Sequence, residues 1–348
     1  MARKWIGPKC DYTIDPDNRV HTDGKIANRI TGTYIGALLG VSPYNSPFMA
    51  STRLMGVWGE DISDNPSVRV GHYLEERIID YQASKHPDLG RFYKAEDIFE
   101  KREGNHEDWV SDFEDDVFAG HVDGIITRDG VDYILEVKTA NGNGSAKEWA
   151  ERVPAHYLWQ VYLYNHFITK QDKAYFLLGV VDNQTYDNPN SWVPNANNCF
   201  MFEVEIDQKY VAEKIEEVRR KYLDTIRKGQ SYDYDPENDG DREVLTYLKD
   251  MMATKDNLEN LINEYTLLHN TNKSVTDSIK DSVQKEKELN ERIKTVMGKL
   301  NVSEAYGVTV TDSERESFDF MAARADNFDF TKYHKKTTVK TLKLKKQK

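Results

Sequence analysis

Residues 123–139 read DGIITRDGVDYILEVKT, two runs of strand-forming residues joined by Asp129-Gly130. Asp-Gly is a favoured two-residue turn of a β-hairpin, because both positions tolerate a positive φ angle. A two-residue loop at this point places Asp123 opposite Glu136. Glu136 and Lys138 are two residues apart, so they share one face of their strand. The hairpin therefore predicts two carboxylates and an ammonium group on one small patch.

Opposed carboxylates repel each other unless a positive charge lies between them. Lys138 is one source of that charge. A Mg²⁺ ion is a better one, because it binds carboxylate oxygens and keeps several water molecules. Such a site suits phosphodiester hydrolysis, in which a metal polarises the phosphate and activates water. The alternative is an exposed strand edge with cross-strand charges, since a chain with 30% charged residues contains E-x-K triplets by chance.

Two helices that flank the hairpin in sequence supply further candidates. The segment VGHYLEERIIDYQASKHP predicts an amphipathic helix, on which Glu75 lies at the edge of the apolar stripe and is available as a further ligand. The segment VPAHYLWQVYLYNHFITKQ predicts a second helix, on which Gln160 and Tyr164 are four residues apart and share a face. Without the hairpin, these three side chains read as an ordinary boundary glutamate and a core tyrosine beside a glutamine.

The composition limits the class of protein. The chain has 348 residues, of which 39% are hydrophobic, and this is enough for one large core. Cys10 and Cys199 are its only cysteines, so a disulfide framework and an iron–sulfur cluster are both disfavoured. We find no apolar stretch of about 18 residues and no apolar signal-peptide core, and we expect a cytoplasmic protein without membrane contact. The net charge of −12 argues mildly against bulk nucleic-acid binding, although local patches decide what a ligand meets.

The order of predicted elements indicates a mixed α/β (α+β) core with a C-terminal extension. Beyond the core, apolar residues from Leu258 to Leu300 follow a 3-4 spacing that fits either one long helix or a helical hairpin broken near HNTNKS. The last 17 residues hold eight lysines and no acid, and they read either as a solvated end or as a phosphate-contacting strand. The predicted parts are an N-terminal segment (1–25), a core (26–230), a linker with a long helical arm (231–300) and a small, basic β-like segment (301–348).

Taken in order, these motifs resemble the PD-(D/E)xK nuclease superfamily. The chain carries G-x-x-x-E over residues 71–75, D-x12-E-x-K over residues 123–138 and Q-x3-Y over residues 160–164. RITGTYIGALLGVSPYNSPF, from Arg29 onward, is similar to the opening motif of the branch that contains YqaJ viral recombinases and lambda exonuclease. Thr33 stands where serine is common in that motif, and it keeps the hydroxyl group. The clustered cysteines of the Cas4-like branch are absent from this sequence.

The resemblance implies a restriction-endonuclease-like core over residues 26–230, with a mixed central sheet flanked by helices. It implies an exonuclease that degrades one strand of linear duplex DNA in the 5′→3′ direction with Mg²⁺, for which Mn²⁺ substitutes. Partners implied in the same way are a single-strand annealing protein and further copies of the chain in a ring, commonly a trimer. The implied metal site is Glu75, Asp123, Glu136 and Val137. Lys138 would be the catalytic lysine, Gln160 and Tyr164 would line the site, and Arg29 and Thr33 would hold a 5′-phosphate.

Two other functions compete with this one. The first is a nuclease-fold protein that binds DNA ends or a partner with little catalysis, and the second is an endonuclease on the same core. A binding module has no need to hold Asp123, Glu136 and Lys138 together, so their presence disfavours the first. Metal-dependent digestion of linear and circular DNA separates all three.

Overall fold

The computed structural model describes residues 4–95, 113, 115–274, 280–318 and 334–344. The chain divides into two compact units, Met1–Leu245 and Thr246–Lys348, which are described separately below. In the part of the chain that is described, no helix is both long and apolar enough to cross a membrane.

A five-stranded sheet forms the centre of the first unit, and its strands lie side by side in the order in which they follow along the chain. Its strands are β5 (Arg91–Lys94), β6 (Gly124–Arg128), β7 (Val131–Asn141), β8 (Lys173–Val181) and β9 (Cys199–Glu205). β7 and β8 run parallel, whereas the other three neighbouring pairs are antiparallel. The predicted mixed sheet is therefore confirmed.

Helices flank this sheet. They are α1 (Gly32–Leu38), α2 (Pro47–Leu54), α3 (Pro66–Lys85), α4 (Ala155–Phe167), α5 (Asn183–Asp187) and α6 (Gln208–Asp224). The apolar stripe of α3 packs on side chains of β7 and β8, so that Leu74 and Ile78 share one cluster with Leu135 and Leu177. Glu136, whose side chain points the other way from Leu135 along β7, meets α4 instead. The strand that carries the central motif thus lies between two helices.

The hairpin has the predicted turn and register. Asp129 and Gly130 have φ angles of 53° and 78°, as the turn requires. Gly124 pairs with Leu135 and Arg128 pairs with Val131, which is the register that a two-residue loop dictates. Asp123 lies one residue before β6 and outside this ladder, so its position depends on its own side-chain contact.

The sequence also predicts strands over residues 92–99 and 117–127, and both predictions need correction. A strand from Val117 to Thr127 is wrong for its first half, because Asp115 Oδ1 accepts hydrogen bonds from the backbone N–H groups of Val117 and Phe118. These two N–H groups are therefore not available for hydrogen bonds to a neighbouring strand, and the strand begins only at Gly124. A strand over residues 92–99 begins as predicted, but β5 ends at Lys94 and residues 96–99 lie outside the described part.

Short strands join the N-terminal residues to the core unit. β1 (Trp5–Ile6) pairs with β4 (Gly59–Glu60), and β2 (Thr13–Ile14) pairs with β3 (Val20–His21). Ser231 and Tyr232, at the start of the segment predicted to be a linker, are buried in the same unit. Ser231 accepts a hydrogen bond from the backbone N–H of Val20, and this bond ties the two segments together.

The second unit contains a helical hairpin and a small sheet. It contains α7 (Asp239–Ser274) from Thr246 onward and α8 (Lys280–Lys299), and its strands are β10 (Glu304–Ala305), β11 (Val308–Phe318) and β12 (His334–Leu344). Leu261 and Tyr265 of α7 share one apolar cluster with Ile293 of α8. Glu264 pairs with Lys285 across the two helices at 2.9 Å. The alternative of one continuous helix is therefore wrong for this segment.

Candidate active site

Glu136 lies at the centre of the candidate site and is completely buried. Its Oε1 accepts hydrogen bonds from Lys138 Nζ and Gln160 Nε2. Its Oε2 is also buried and has no hydrogen-bond partner among the described residues. A buried carboxylate oxygen without a partner carries a desolvation cost, and such an atom in a folded protein requires an explanation.

Lys138 extends beside Glu136 on the same face of β7, as the spacing predicts. Its side chain is only 19% exposed, and its Nζ lies 5.5 Å from the centre of the Tyr157 ring. Burial lowers the pKa of Lys138, but the negative charges of Glu136 and Asp123 outweigh burial and raise this pKa to about 12. Lys138 is therefore an ammonium group at neutral pH, suited to donating hydrogen bonds and not to accepting a proton.

Asp123 is held by the backbone of β7. Its Oδ2 accepts a hydrogen bond of 2.8 Å from the N–H of Val137. The sequence predicts that Asp123 lies opposite Glu136. In the structure its carboxylate contacts β7 one residue further on, at Val137. Its charge still acts on Glu136 and Lys138. The side chain of Val137 is buried in the core below the sheet, so that only its backbone is available to the site.

Glu75 comes from α3, between the buried Leu74 and the exposed Glu76, as its place at the edge of the stripe predicts. Burial, together with the charge of Asp123, raises the pKa of Glu75 to about 7. In the same way burial, together with the charge of Asp123, raises the pKa of Glu136 to about 8. The structure thus places Glu75 and Glu136 close enough to Asp123 for its charge to act on both.

Gln160 and Tyr164 stand one turn apart on α4 and face this cluster. Gln160 Nε2 reaches Glu136 and lies 3.4 Å from the Tyr164 hydroxyl. Two glycines make room for them. A Cβ atom on Gly32 would lie 2.5 Å from Gln160 Cγ, and one on Gly120 would lie 2.2 Å from Tyr164 Cε1. The glycines therefore allow the backbone to press against both side chains, and neither was singled out from the sequence.

The carboxyl groups fit a hard divalent cation by chemistry, but they are not arranged around one. Across the described ranges, no group of three or more His, Cys, Asp and Glu side chains is placed to hold a metal ion. Glu136 Oε1 is occupied by Lys138 and Gln160, and Asp123 Oδ2 by Val137. Of the two Glu136 oxygens, Oε2 is the one without a hydrogen-bond partner among the described residues. The raised pKa values of Glu75 and Glu136 mark carboxyls that a positive charge would stabilise in their ionised form.

Arg29 is placed in a separate pocket of about 510 Å³. Its Nη1 donates a hydrogen bond to the carbonyl of Asp115. Lys9 and Arg53 line the same pocket, and Arg53 lies over the rings of Tyr34 and Trp58. Lys9 and Arg53 were not found from the sequence, because neither belongs to a motif that contains Arg29.

Thr33, the second residue predicted to hold a 5′-phosphate, lies in the first turn of α1 and is exposed. It does not line the pocket of Arg29, whereas Thr31 does. The structure therefore groups Glu75, Asp123, Glu136, Lys138, Gln160 and Tyr164 in one cluster. Of the two residues predicted to hold a 5′-phosphate, Arg29 lines the separate pocket and Thr33 does not.

The fold is of the mixed α/β class, with a mixed central sheet flanked by helices, as the sequence predicts. Within that class, the family model of the YqaJ-like viral recombinase domain matches residues 20–171. This match confirms the resemblance drawn from the motifs, and every candidate site residue lies inside it.

The chain is also similar to a solved structure, that of an alkaline exonuclease from Laribacter hongkongensis. The sequence identity is 13% and the TM-score is 0.40, with 66% of this chain and 96% of that chain covered. No curated protein sequence matches the chain.

The raised carboxyl pKa values predict how stability depends on pH when no metal is present. The pKa of Glu136 rises from 4.5 to about 8, so the folded state binds more protons than the unfolded state between these values. The free energy of unfolding therefore falls as pH rises through this window. Glu136→Gln removes the charge, and we expect it to raise the melting temperature near pH 8 by roughly 3 °C or more, the change that about 1 kcal/mol produces.

The measurement is thermal unfolding with a chelator between about pH 5 and pH 8, the window set by the raised pKa. Glu203→Gln is the control, because Glu203 pairs with Lys173 at the surface of the same sheet. We do not expect this variant to flatten the pH dependence. Equal melting curves for the wild type and Glu136→Gln at pH 8 would contradict the charge assignment.

Proposed function

We propose that this protein is a Mg²⁺-dependent deoxyribonuclease that digests one strand of linear duplex DNA in the 5′→3′ direction and leaves single-stranded DNA for recombination. The observation that carries the proposal is the buried Glu136, which shares one oxygen with Lys138 and Gln160 and keeps the other without a partner in the described structure. A surface ion pair does not bury a carboxylate oxygen without a partner, and a bound cation would offset the cost of burying this one. The match to the YqaJ-like viral recombinase domain supports the same class of activity.

Each residue of the cluster has a role in this proposal. Glu75, Asp123, Glu136 and the carbonyl oxygen of Val137 would hold the metal. A bound Mg²⁺ ion supplies polarisation of the scissile phosphate and a more acidic water molecule. Lys138 stays protonated and donates hydrogen bonds to the oxygens on which negative charge develops.

Gln160 and Tyr164 position this machinery. Gln160 donates to Glu136 Oε1 and thereby orients the carboxylate whose second oxygen is unpartnered. Tyr164 is buried against Gly120, and this packing holds in place the face of α4 that also carries Gln160. Close packing of this kind holds a site in one geometry, and we propose that both residues act through Glu136.

Digestion of end-labelled linear duplex and of closed circular DNA tests the proposal. We expect loss of linear DNA with Mg²⁺ or Mn²⁺, none with a chelator, and little with Ca²⁺, which accepts looser geometry and more ligands. Circular DNA is expected to stay intact. Cutting of circular DNA would identify an endonuclease instead, and binding of ends without any cutting would identify a DNA-end-binding protein. A metal titration that changes neither melting temperature nor cutting would contradict the metal site.

Arg29 carries the proposed preference for a 5′-phosphate. A terminal phosphate bears more charge than an internal diester, and the guanidinium group offers a fork of donors to it. Arg29, Lys9 and Arg53 line this pocket together with one acid, Glu60, so basic groups outnumber acidic ones there and favour a phosphate ligand. We expect 5′-phosphorylated duplex to be digested faster than its 5′-hydroxyl counterpart, and Arg29→Ala to remove most of a roughly tenfold difference.

The comparison is made at one moderate salt concentration, because phosphate contacts weaken as salt rises. Arg220→Ala is the matched control, since Arg220 is an exposed arginine on α6 outside the pocket. Equal rates on both substrates with wild-type protein, or a preference that survives in Arg29→Ala, would sink this assignment.

Three further features stay predictions. A single-strand annealing protein as partner and a ring of several copies around DNA, commonly a trimer, come from the family resemblance, and a cytoplasmic location comes from the sequence composition. Light scattering of the purified protein and co-purification with an annealing protein from the same source would test the first two.

A further inference from the structure

Aromatic rings form a continuous path from Lys138 to the solvent. The Lys138 ammonium lies 5.5 Å from the centre of the Tyr157 ring. The Tyr157 and His156 ring centres are 4.0 Å apart, and His156 meets Tyr44 edge-on at 5.3 Å. We call Tyr157, His156 and Tyr44 the aromatic strip. It begins at the one cation of the catalytic cluster and ends at a ring that is 54% exposed.

The strip has a rigid support. The buried Trp149 stacks on Tyr157 at 5.5 Å with an interplanar angle of 28°. Gly36 of α1 lies against His156, since a Cβ atom on Gly36 would be 3.2 Å from His156 Cα. The loop that carries Tyr44 is fixed as well, because Ser42 Oγ accepts hydrogen bonds from the backbone N–H groups of Tyr44 and Asn45. The rings are therefore held in place before any ligand arrives.

Tyr44, at the end of this path, is largely exposed and offers its ring to a ligand. A fixed aromatic face in water stacks well on an unpaired nucleobase, and this stacking tolerates any base. Bases within a duplex are stacked on one another and do not offer a free face. A phosphate at Lys138 would place the nucleotides next to it along the strip.

We propose that the aromatic strip binds the unpaired bases of the DNA strand whose phosphate lies at Lys138. This inference rests on the proposed nuclease function and adds to it a binding surface for single-stranded nucleotides. The exposed carboxylate of Glu148 acts electrostatically on all three rings. It opposes phosphate groups at the strip, so the surface selects bases and not backbone.

Binding of a short single-stranded oligonucleotide that contains 2-aminopurine tests the proposal. The measurement is made with a chelator, so that binding is observed without cutting. We expect wild-type protein to quench the fluorescence by stacking. We expect Tyr44→Ala to lose much of this quenching and to bind about fivefold or more weakly, which is the lower end of the effect of one stacked base. Tyr44→Phe keeps the ring and is expected to keep the quenching.

Tyr210→Ala is the matched control, because Tyr210 is 49% exposed and contacts the ring of Trp159 on a different part of the unit. We expect its quenching and affinity to equal those of wild type. Glu148→Gln is expected to bind the oligonucleotide more tightly, because a charge that repels phosphate is gone. Unchanged quenching in Tyr44→Ala, or the same loss in Tyr210→Ala, would overturn the inference. With wild-type cleavage intact, either result would leave the proposed nuclease function standing.

Discussion

Lys138→Ala and Glu136→Ala are each expected to abolish cleavage of linear duplex DNA, with a loss of about 10³-fold or more in rate. Lys138 is the ammonium group of the cluster, and its charge is secured by the carboxylates around it. Glu136 provides the unpartnered oxygen on which the proposed metal site depends. Single-turnover cleavage at saturating Mg²⁺ measures the chemical step itself and is the assay to use.

The chain offers a matched pair of controls for this prediction. Lys173 and Glu203 form an ion pair of 3.1 Å on neighbouring strands of the same sheet, outside the cluster. We expect Lys173→Ala and Glu203→Ala to cut DNA at close to the wild-type rate. The melting temperatures of all four variants separate loss of chemistry from loss of fold. Substantial turnover by either cluster variant, with its fold intact, would remove Glu136 and Lys138 from the active site.

Gly120→Ala is expected to destabilise the protein by about 1–3 kcal/mol and to impair cleavage. The new Cβ atom would lie 2.2 Å from Tyr164 Cε1, and Tyr164 is buried in the core. The ring has to move, and Gln160, which lies beside its hydroxyl, moves with it. Because Gln160 donates to Glu136, a methyl group outside the cluster disturbs the central carboxylate. Thermal unfolding and the cleavage assay together measure both effects.

Gly298→Ala is the control for this substitution. Gly298 lies within α8, and an added Cβ atom meets nothing within 4 Å. Alanine is favoured over glycine in a helix by about 1 kcal/mol, so this variant is expected to melt slightly higher and to cut normally. Wild-type melting and activity in Gly120→Ala would show that Tyr164 tolerates displacement and does not position the site.

The sequence predicts the parts of the site that depend on local geometry. The turn at Asp129-Gly130 and the alternation of a strand place Glu136 and Lys138 on one face, and the structure has both in contact. The helical repeat places Gln160 and Tyr164 together on α4. These relations hold over a few residues, where backbone geometry alone decides which side chains meet.

Only the tertiary structure decides what surrounds them. Val137 holds Asp123 across the sheet, Gly32 and Gly120 press on α4, and Lys9 and Arg53 join Arg29 in one pocket. Tertiary packing also decides that Glu136 is completely buried and that α7 and α8 form a helical hairpin instead of one long helix. Each of these features joins segments distant in sequence through close packing. The outcome depends on which surfaces fit without voids or clashes, and no spacing pattern in a single sequence carries that information.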